Sequence, residues 1–408
     1  MSDREQQPTI SRRLALKLLG AAALLPFTGC RQLPDTPPTE STPQTVNRIL
    51  LLPTATDTPV ASLTPPPAPT ARPTETNTST PVTVQPSEAQ STPLPASSRP
   101  SQVKGLYLPF DYLRSTQRLT QFQDRLLRTG ANCAVIDIKS DGGQVAIPFQ
   151  HDLQPEIAQQ EAFPGLVDLL DWLAQHEIYA VARQVVMVDT ALAEVHPWLA
   201  LHYPDKRQTD NSGHIWLNPQ EPQIADYNAA IAASAVQIGF REIQLDYIRF
   251  AESDFTIPFD ERVGALVSVI SRIRAEILGN ALLTIDVLGV TTDDEADQVS
   301  DGGFGQHIPT LARFVDGICP MLYPDLHSEG IDIDYYQYVF ESTRRTAEKI
   351  VQGESNTFIN PWIQGYYPAD GAIIQQEAAA AFEAGAVGVY AWSPDGVYPP
   401  GTTFDGLP

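Results

Sequence analysis

Cysteine is scarce in this sequence: 408 residues contain three, at positions 30, 133 and 319. That number excludes a scaffold built on disulfides. Neither a Cys-x-x-Cys nor a His-x-x-x-His pair occurs, so the usual spacing of structural zinc is missing. Basic residues are few, 26 against 49 acidic ones. An acidic surplus of this size repels phosphate backbones and excludes a nucleic-acid partner. No Gly-rich phosphate turn follows an early strand pattern; Gly142-Gly143 is not one. The apolar run Leu18 to Phe27 is shorter than the roughly 20 residues that cross a bilayer.

What the sequence does hold is unevenly placed. Eighteen of the 36 prolines fall in the first hundred residues, while nearly the whole charge deficit lies beyond them. Residues 1–30 read as a signal peptide. Ser11-Arg12-Arg13-Leu14-Ala15-Leu16-Lys17 resembles a twin-arginine export motif, with Ala15 where Phe is usual. Phe27-Thr28-Gly29-Cys30 resembles a bacterial lipobox, which makes Cys30 the lipidation site and the membrane a partner through an N-terminal acyl anchor. The export route, twin-arginine or general, stays open. Residues 31–100 are Pro/Thr/Ser-rich with almost no aromatics. Such a stretch buries too little surface to offset its ordering entropy and reads as a disordered linker. The expected location is extracytoplasmic, on the cell envelope.

From Val103 onward, short β-branched runs alternate with amphipathic ones. The spacing predicts strands at Val103–Pro109, Cys133–Lys139, Tyr179–Val186, Glu242–Phe250, Leu282–Leu288, Gly317–Tyr323, Phe358–Gln364 and Val387–Trp392. Helical patterns separate them at Arg114–Arg128, Leu166–His176, Gln223–Gln237, Asp260–Leu278, Ile308–Phe314, Tyr335–Ile350 and Ile373–Ala384. Strand and helix alternating to a count of eight strands predicts an α/β fold, a (β/α)8 TIM barrel over residues 101–408. A doubly wound open sheet is the alternative.

In such a barrel, function sits at the C-terminal strand ends, and the period of two sorts each strand into a lumen face and a helix face. In the fourth strand Ile243 and Leu245 pack outward, which turns Glu242, Gln244 and Asp246 inward. In the fifth, Thr284 and Asp286 turn inward. The second strand offers Asp137 and Lys139 on one face, the third Arg183, the sixth Tyr323, the seventh Trp362 and Gln364, and the eighth Trp392. Tyr247 and Arg249 follow Asp246 at the rim. Inward charges on buried strands are costly unless paired or used.

Two carboxyl groups on neighbouring strands suit glycoside cleavage, one donating a proton and the other serving as nucleophile or base. Flat aromatic faces suit sugar rings. The catalytic candidates are therefore Asp246 and Asp286. Asp137, Lys139, Arg183, Tyr247, Arg249, Tyr323, Trp362, Gln364 and Trp392 are the candidate substrate-binding residues. A carbohydrate is the expected partner; neither a cofactor nor a metal is called for.

The run Gly239-Phe240-Arg241-Glu242-Ile243-Gln244-Leu245-Asp246-Tyr247-Ile248-Arg249-Phe250 resembles the GFDEIQFDYIRFP strand-four signature of a bacterial family of glycoside hydrolase domains. Asn132–Lys139, Val181–Asp189, Val315–Pro324 and Pro361–Gln364 are similar to other segments of that family. The resemblance spans nearly all of residues 101–395 and implies a TIM barrel of the glycosidase group. Ala251 stands where the family has Pro, and Pro324-Asp325 replaces Pro-Ser. The Gly-Phe-Arg run before Asp246 also looks like that of alpha-amylase-type barrels, which place a Glu acid where this chain has Asp286. That difference leaves Glu252, His327 and Glu329 as alternative proton donors. It also leaves a second reading, a catalytically inactive carbohydrate-binding lipoprotein.

Other features carry less. The acidic stretch Asp293–Gly303 lacks EF-hand ligand spacing. Cys133 and Cys319 fit small apolar fillers. His196, Trp198, His202, Tyr203 and Trp216 fall in the long loop after strand three, walling a cleft or packing a small subdomain.

Overall fold

A computed structural model of the chain describes residues 98–154, 163–203, 205, 208–210, 212–252, 257–277, 279–293, 303–327 and 333–408. Cys30, the linker up to residue 97, Glu329 and most of the acidic stretch, 294–302, lie outside the described residues.

The strands are β1 (Val103–Leu108), β2 (Cys133–Lys139), β3 (Tyr179–Val185), β4 (Glu242–Asp246), β5 (Leu282–Leu288), β6 (Gly317–Leu322), β7 (Phe358–Ile359), β8 (Trp362–Gln364) and β9 (Gly388–Trp392). Every pairing is parallel. The order β5-β4-β3-β2-β1-β9-β8-β6 closes on itself through β5 and β6. Crossover helices are α1 (Thr116–Thr129), α2 (Pro164–Gln175), α3 (Pro222–Gln237), α4 (Phe259–Ile277), the single turn α5 (Ile308–Leu311), α6 (Tyr335–Gln352) and α7 (Gly371–Glu383). This is a closed (β/α)8 barrel, with β7 and β8 together forming the seventh stave.

The seventh stave divides for a chemical reason. Asn360 N still donates to Ile318 O at 3.1 Å, but Pro320 of β6 has no N–H to return to this stave, so the ladder with β6 lapses between Ile359 and Trp362. The Pro361 carbonyl still accepts from Tyr390 N at 2.9 Å, which keeps β9 in place. The helices begin where the sequence supplies caps. Ser115 accepts from Arg118 N at the start of α1, and Asp370 accepts from Ala372 N and Ile373 N at the start of α7. Proline at the first helical position opens α2 and α3. Along α1, Leu119, Phe122 and Leu126 recur at helical spacing and are buried against the barrel wall.

Two apolar regions result. The larger fills the space between strands and helices; the smaller, Val103, Tyr107, Cys133, Val135, Tyr179, Val181, Cys319, Tyr323, Trp362 and Tyr390, fills the lumen. The lumen set falls on alternate strand residues. Room for the Tyr390 ring comes from Gly105, where a Cβ would stand 2.5 Å from that ring. Cys133 and Cys319, the cysteines among the described residues, are free, buried and within the lumen set.

The fourth strand is shorter than the apolar pattern predicts. It ends at Asp246 rather than Phe250 because Tyr247 takes a positive φ of 52°. That conformation is uncommon for a bulky residue and turns the chain out of the ladder.

Candidate active site

At the C-terminal ends of the strands lies a cavity of about 630 Å³. Asp137, Arg183, Asp246, Tyr247, Arg249, Asp286, Tyr323, Trp362 and Trp392 all line it. The register places Leu245 beside Ile285, so Asp246 and Asp286, one residue further on, stand level on adjacent strands.

Arg183 organises the acids. Its Nη1 donates to Asp137 Oδ1 at 2.5 Å, its Nη2 donates to Asp246 Oδ2, and its Nε stands 3.9 Å from Asp286 Oδ2. Tyr107, on the lumen side of β1, donates its hydroxyl to Asp137 Oδ2 at 2.5 Å and presents its ring to the guanidinium at 5.4 Å. Asp246 Oδ1 accepts from its neighbour's backbone, Tyr247 N, at 2.5 Å. The positive φ at Tyr247 sits beside this bond, so the turn that ends β4 also fixes the carboxylate.

Asp286 differs. Trp362 Nε1 donates to Oδ1 at 2.8 Å, and Oδ2 has no hydrogen-bond partner. Burial, followed by the negative charge of Asp246, pushes the Asp286 carboxyl well above the ordinary range. Burial also raises Asp137, opposed by Arg183 and by the Tyr107 hydroxyl. The level pair is thus chemically unequal: one carboxylate held by a cation, one carboxyl inclined to keep its proton.

Aromatic rings form the other wall. Tyr323 and Trp392 stack at 5.2 Å between centroids with 29° between planes, and Tyr366 meets Trp392 edge-on at 5.5 Å.

Two of the candidate binding residues stand away from the cavity. Lys139 is fully buried, donates to Val185 O at 2.8 Å and pairs with Asp189 Oδ2 at 2.9 Å. Behind that pair the Gly142-Gly143 turn packs so closely that a Cβ on Gly143 would stand 2.1 Å from Asp189 Oδ1. The lysine therefore clamps the loops after β2 and β3. It follows the lumen parity up to the strand's end, where a register shift between Asp137 and Lys139 turns it away. Gln364 accepts from Asp325 N at 3.1 Å and gives its own N–H to Glu377 Oε2, tying a rim loop to α7. Glu252 is exposed and is not among the cavity residues.

The loop after β3 packs as a small subdomain. Antiparallel bridges join Val188 to Trp216 and Ala200 to Leu217, and Leu199, Leu201 and Tyr203 are buried. Trp216 contacts the site from behind, its ring 5.6 Å from that of Tyr247. Tyr107 and Asp141 are cavity residues that the sequence reading leaves out. Tyr107 has the correct parity, but the uniformly buried pattern of β1 hides it.

Fold and site together define a carbohydrate-active type of barrel, with paired carboxyl groups and stacked aromatics at the C-terminal rim. The chain belongs to the family described as "Putative glycosyl hydrolase domain", whose model matches residues 105–394. No curated protein matches it. Among solved structures it is similar to a hypothetical protein from Ruminiclostridium thermocellum, at 30% identity over 45% of this chain and 97% of that one, with a TM-score of 0.40. It is also similar to the PgaB (BpsB) glycoside hydrolase domain from Bordetella bronchiseptica, at 13% identity over 72% and 94% with a TM-score of 0.54. The catalytic domain of beta-amylase from Paenibacillus polymyxa matches at 8% identity over 75% and 96%, with a TM-score of 0.50. At such identities the last two speak to the barrel fold alone.

Proposed function

We propose that the chain hydrolyses O-glycosidic bonds, with Asp286 as general acid and Asp246 as nucleophile. The observation that carries this reading is the unequal environment of two level carboxyl groups facing one cavity. Asp246 is bound directly by the Arg183 guanidinium, whereas Asp286 is buried beside the Asp246 carboxylate, which with burial raises its pKa. Neighbouring parallel strands lie about 4.8 Å apart. Level side chains on them match the roughly 5–5.5 Å spacing of retaining enzymes better than the roughly 6.5–9.5 Å of inverting ones.

In the first step Asp286 gives its proton to the leaving oxygen as Asp246 attacks the anomeric carbon, forming a glycosyl ester and breaking the glycosidic bond. In the second, the Asp286 carboxylate takes a proton from water, whose oxygen replaces the ester; Asp246 leaves as carboxylate. Tyr323 and Trp392 supply a stacking face for a sugar ring.

The same proposal places the barrel outside the cytoplasm, acylated at Cys30 and held on the Pro/Thr-rich linker of residues 31–100, acting on a poly- or oligosaccharide. The deciding experiment screens the protein against a broad panel of polysaccharides for released reducing ends, with Asp246→Asn as control. Release that is lost in the variant supports the hydrolase. Glycan binding by the wild-type protein with no release from any substrate overturns it and favours the binding-protein reading.

A further inference from the structure

Two arginines, Arg183 and Arg249, line the cavity and His214 stands beside it on Asp141; two of these three cations are saturated. Arg183 lies between Asp137 and Asp246. His214 lies between Asp141 Oδ2 at 3.4 Å and Asp210 Oδ2 at 3.6 Å, and these carboxylates raise its pKa to about 9, so it is charged at neutral pH. Arg249 is different. It lines the cavity, yet no carboxylate among the described residues forms an ion pair with it. Of its five N–H donors, one bond is accounted for, from Nη1 to Phe250 O at 3.1 Å.

Aromatic rings hold this cation in place. Its Cζ stands 4.4 Å from the ring centre of Trp216, 5.2 Å from that of Phe304 and 5.4 Å from that of Tyr247. Trp216 is fixed in turn by its Nε1–H bond to Asp210 Oδ2 at 2.8 Å. Ring faces offset part of the cost of removing a guanidinium from water, but they leave its in-plane donors unsatisfied. A cation kept in a cavity wall with one hydrogen bond and, among the described residues, no carboxylate in ion-pair contact, although Asp246, Glu252 and Asp210 act on it from further off, is arranged for an anion brought by the ligand.

We propose that Arg249 is a specificity-determining residue that selects sugars bearing an oxyanion, the carboxylate of a uronic acid or the sulfate of a sulfated sugar. This rests on reading the cavity as a sugar site and names the substrate class for it. The planar fork of Arg249 donates to two oxygens of such a group side by side, while the ring stacks on the Tyr323 and Trp392 rings. The acidic surface of the domain works against long-range capture of polyanions. Selection therefore operates at contact distance.

The test titrates full-length protein by ligand-detected NMR with matched pairs: glucose and glucuronate, galactose and galacturonate, mannose and mannuronate. Galactose 6-sulfate and N-acetylglucosamine 6-sulfate separate sulfate from carboxylate recognition. The expected result is a preference of about ten- to hundredfold for at least one anionic sugar over its neutral partner. That ratio should fall toward one in Arg249→Met and to an intermediate value in Arg249→Lys, which keeps the charge but loses the fork. Thermal unfolding verifies that each variant is folded; the wild-type ratio decides the matter if Arg249→Met is not. No anionic preference in the wild-type protein, or a preference that persists in folded Arg249→Met, overturns the inference. Hydrolysis restricted to neutral glycans removes this inference alone, whereas anionic binding without hydrolysis of any glycan removes the hydrolase reading alone.

Discussion

Trp362 Nε1 donates to Asp286 Oδ1 at 2.8 Å, while the other oxygen of that carboxyl is buried without a hydrogen-bond partner, 3.9 Å from Arg183 Nε. In the proposed mechanism the indole steadies the carboxyl through Oδ1 and Oδ2 carries the transferable proton.

Replacing either carboxyl should then give distinguishable losses. Asp246→Asn should reduce turnover about 10²–10⁴-fold on every substrate. Asp286→Asn should do so on natural glycosides, whereas on aryl glycosides whose leaving groups need no proton kcat/KM should be spared while kcat still falls, because the second step loses its base. Steady-state kinetics on both substrate types checks this; equal losses in both variants would remove the acid assignment.

The pH profile should carry the mark of the indole. The proposed mechanism needs Asp286 protonated, so its raised pKa should set the alkaline limb of kcat/KM. The Trp362 bond favours the charged form and opposes that rise. Trp362→Phe should therefore move the alkaline limb to higher pH, and an unmoved limb would show that another group governs it.

Asp286 should also cost the fold stability at neutral pH. A carboxyl whose pKa is higher folded than unfolded contributes stability that is fully present below its unfolded pKa of about 3.9. That contribution is lost as pH rises through the folded value. Asp286→Asn should raise stability by about 1–3 kcal/mol at pH 7.5 and by little at pH 3.5. Thermal denaturation at the two pH values provides the measurement.

Arg183→Met should be severely destabilising, by about 3–5 kcal/mol, because it strands Asp137 and Asp246 without their cation. Adding Asp137→Asn should recover part of that loss. Denaturant titration of the single and double variants tests the coupling.

Cys30→Ala should abolish incorporation of labelled fatty acid and release the protein from the membrane fraction, with the hydrolytic activity of the barrel retained. Unchanged membrane association would count against the lipid anchor.

Much of the barrel is legible in the sequence because its strands are buried on both faces and its helices on one. The period of two correctly sorts Glu242, Gln244 and Asp246 into the lumen, with Asp286 beside Asp246 on the neighbouring strand, since Ile243, Leu245 and Ile285 belong to the outer core. Parity fails where the ladder fails. Lys139 lies past a register shift, Gln364 on a three-residue stave, and Tyr247 beyond a positive-φ turn that no apolar pattern announces. Tyr107 and Asp141 are hidden for other reasons. The first lies in a strand without polar contrast, and the second is brought to the rim by a loop whose path depends on the buried Lys139–Asp189 pair. Asp246 was nameable from one strand, but the arginine that distinguishes it from Asp286 comes from another.

Strand β4 carries a charge at each end. At its start Glu242 is fully buried, 3.3 Å from Arg99 Nε and bonded by Tyr390 and Thr284 hydroxyls. Four residues on, about 13 Å along the strand, Asp246 meets Arg183. The lumen between them is filled by the uncharged side chains of Gln244, Cys133, Cys319 and Trp362. The barrel is thus wired as two separate circuits with an insulating layer, and selection can retune the Arg99–Glu242 end for heat or acid tolerance while the reacting end keeps its settings.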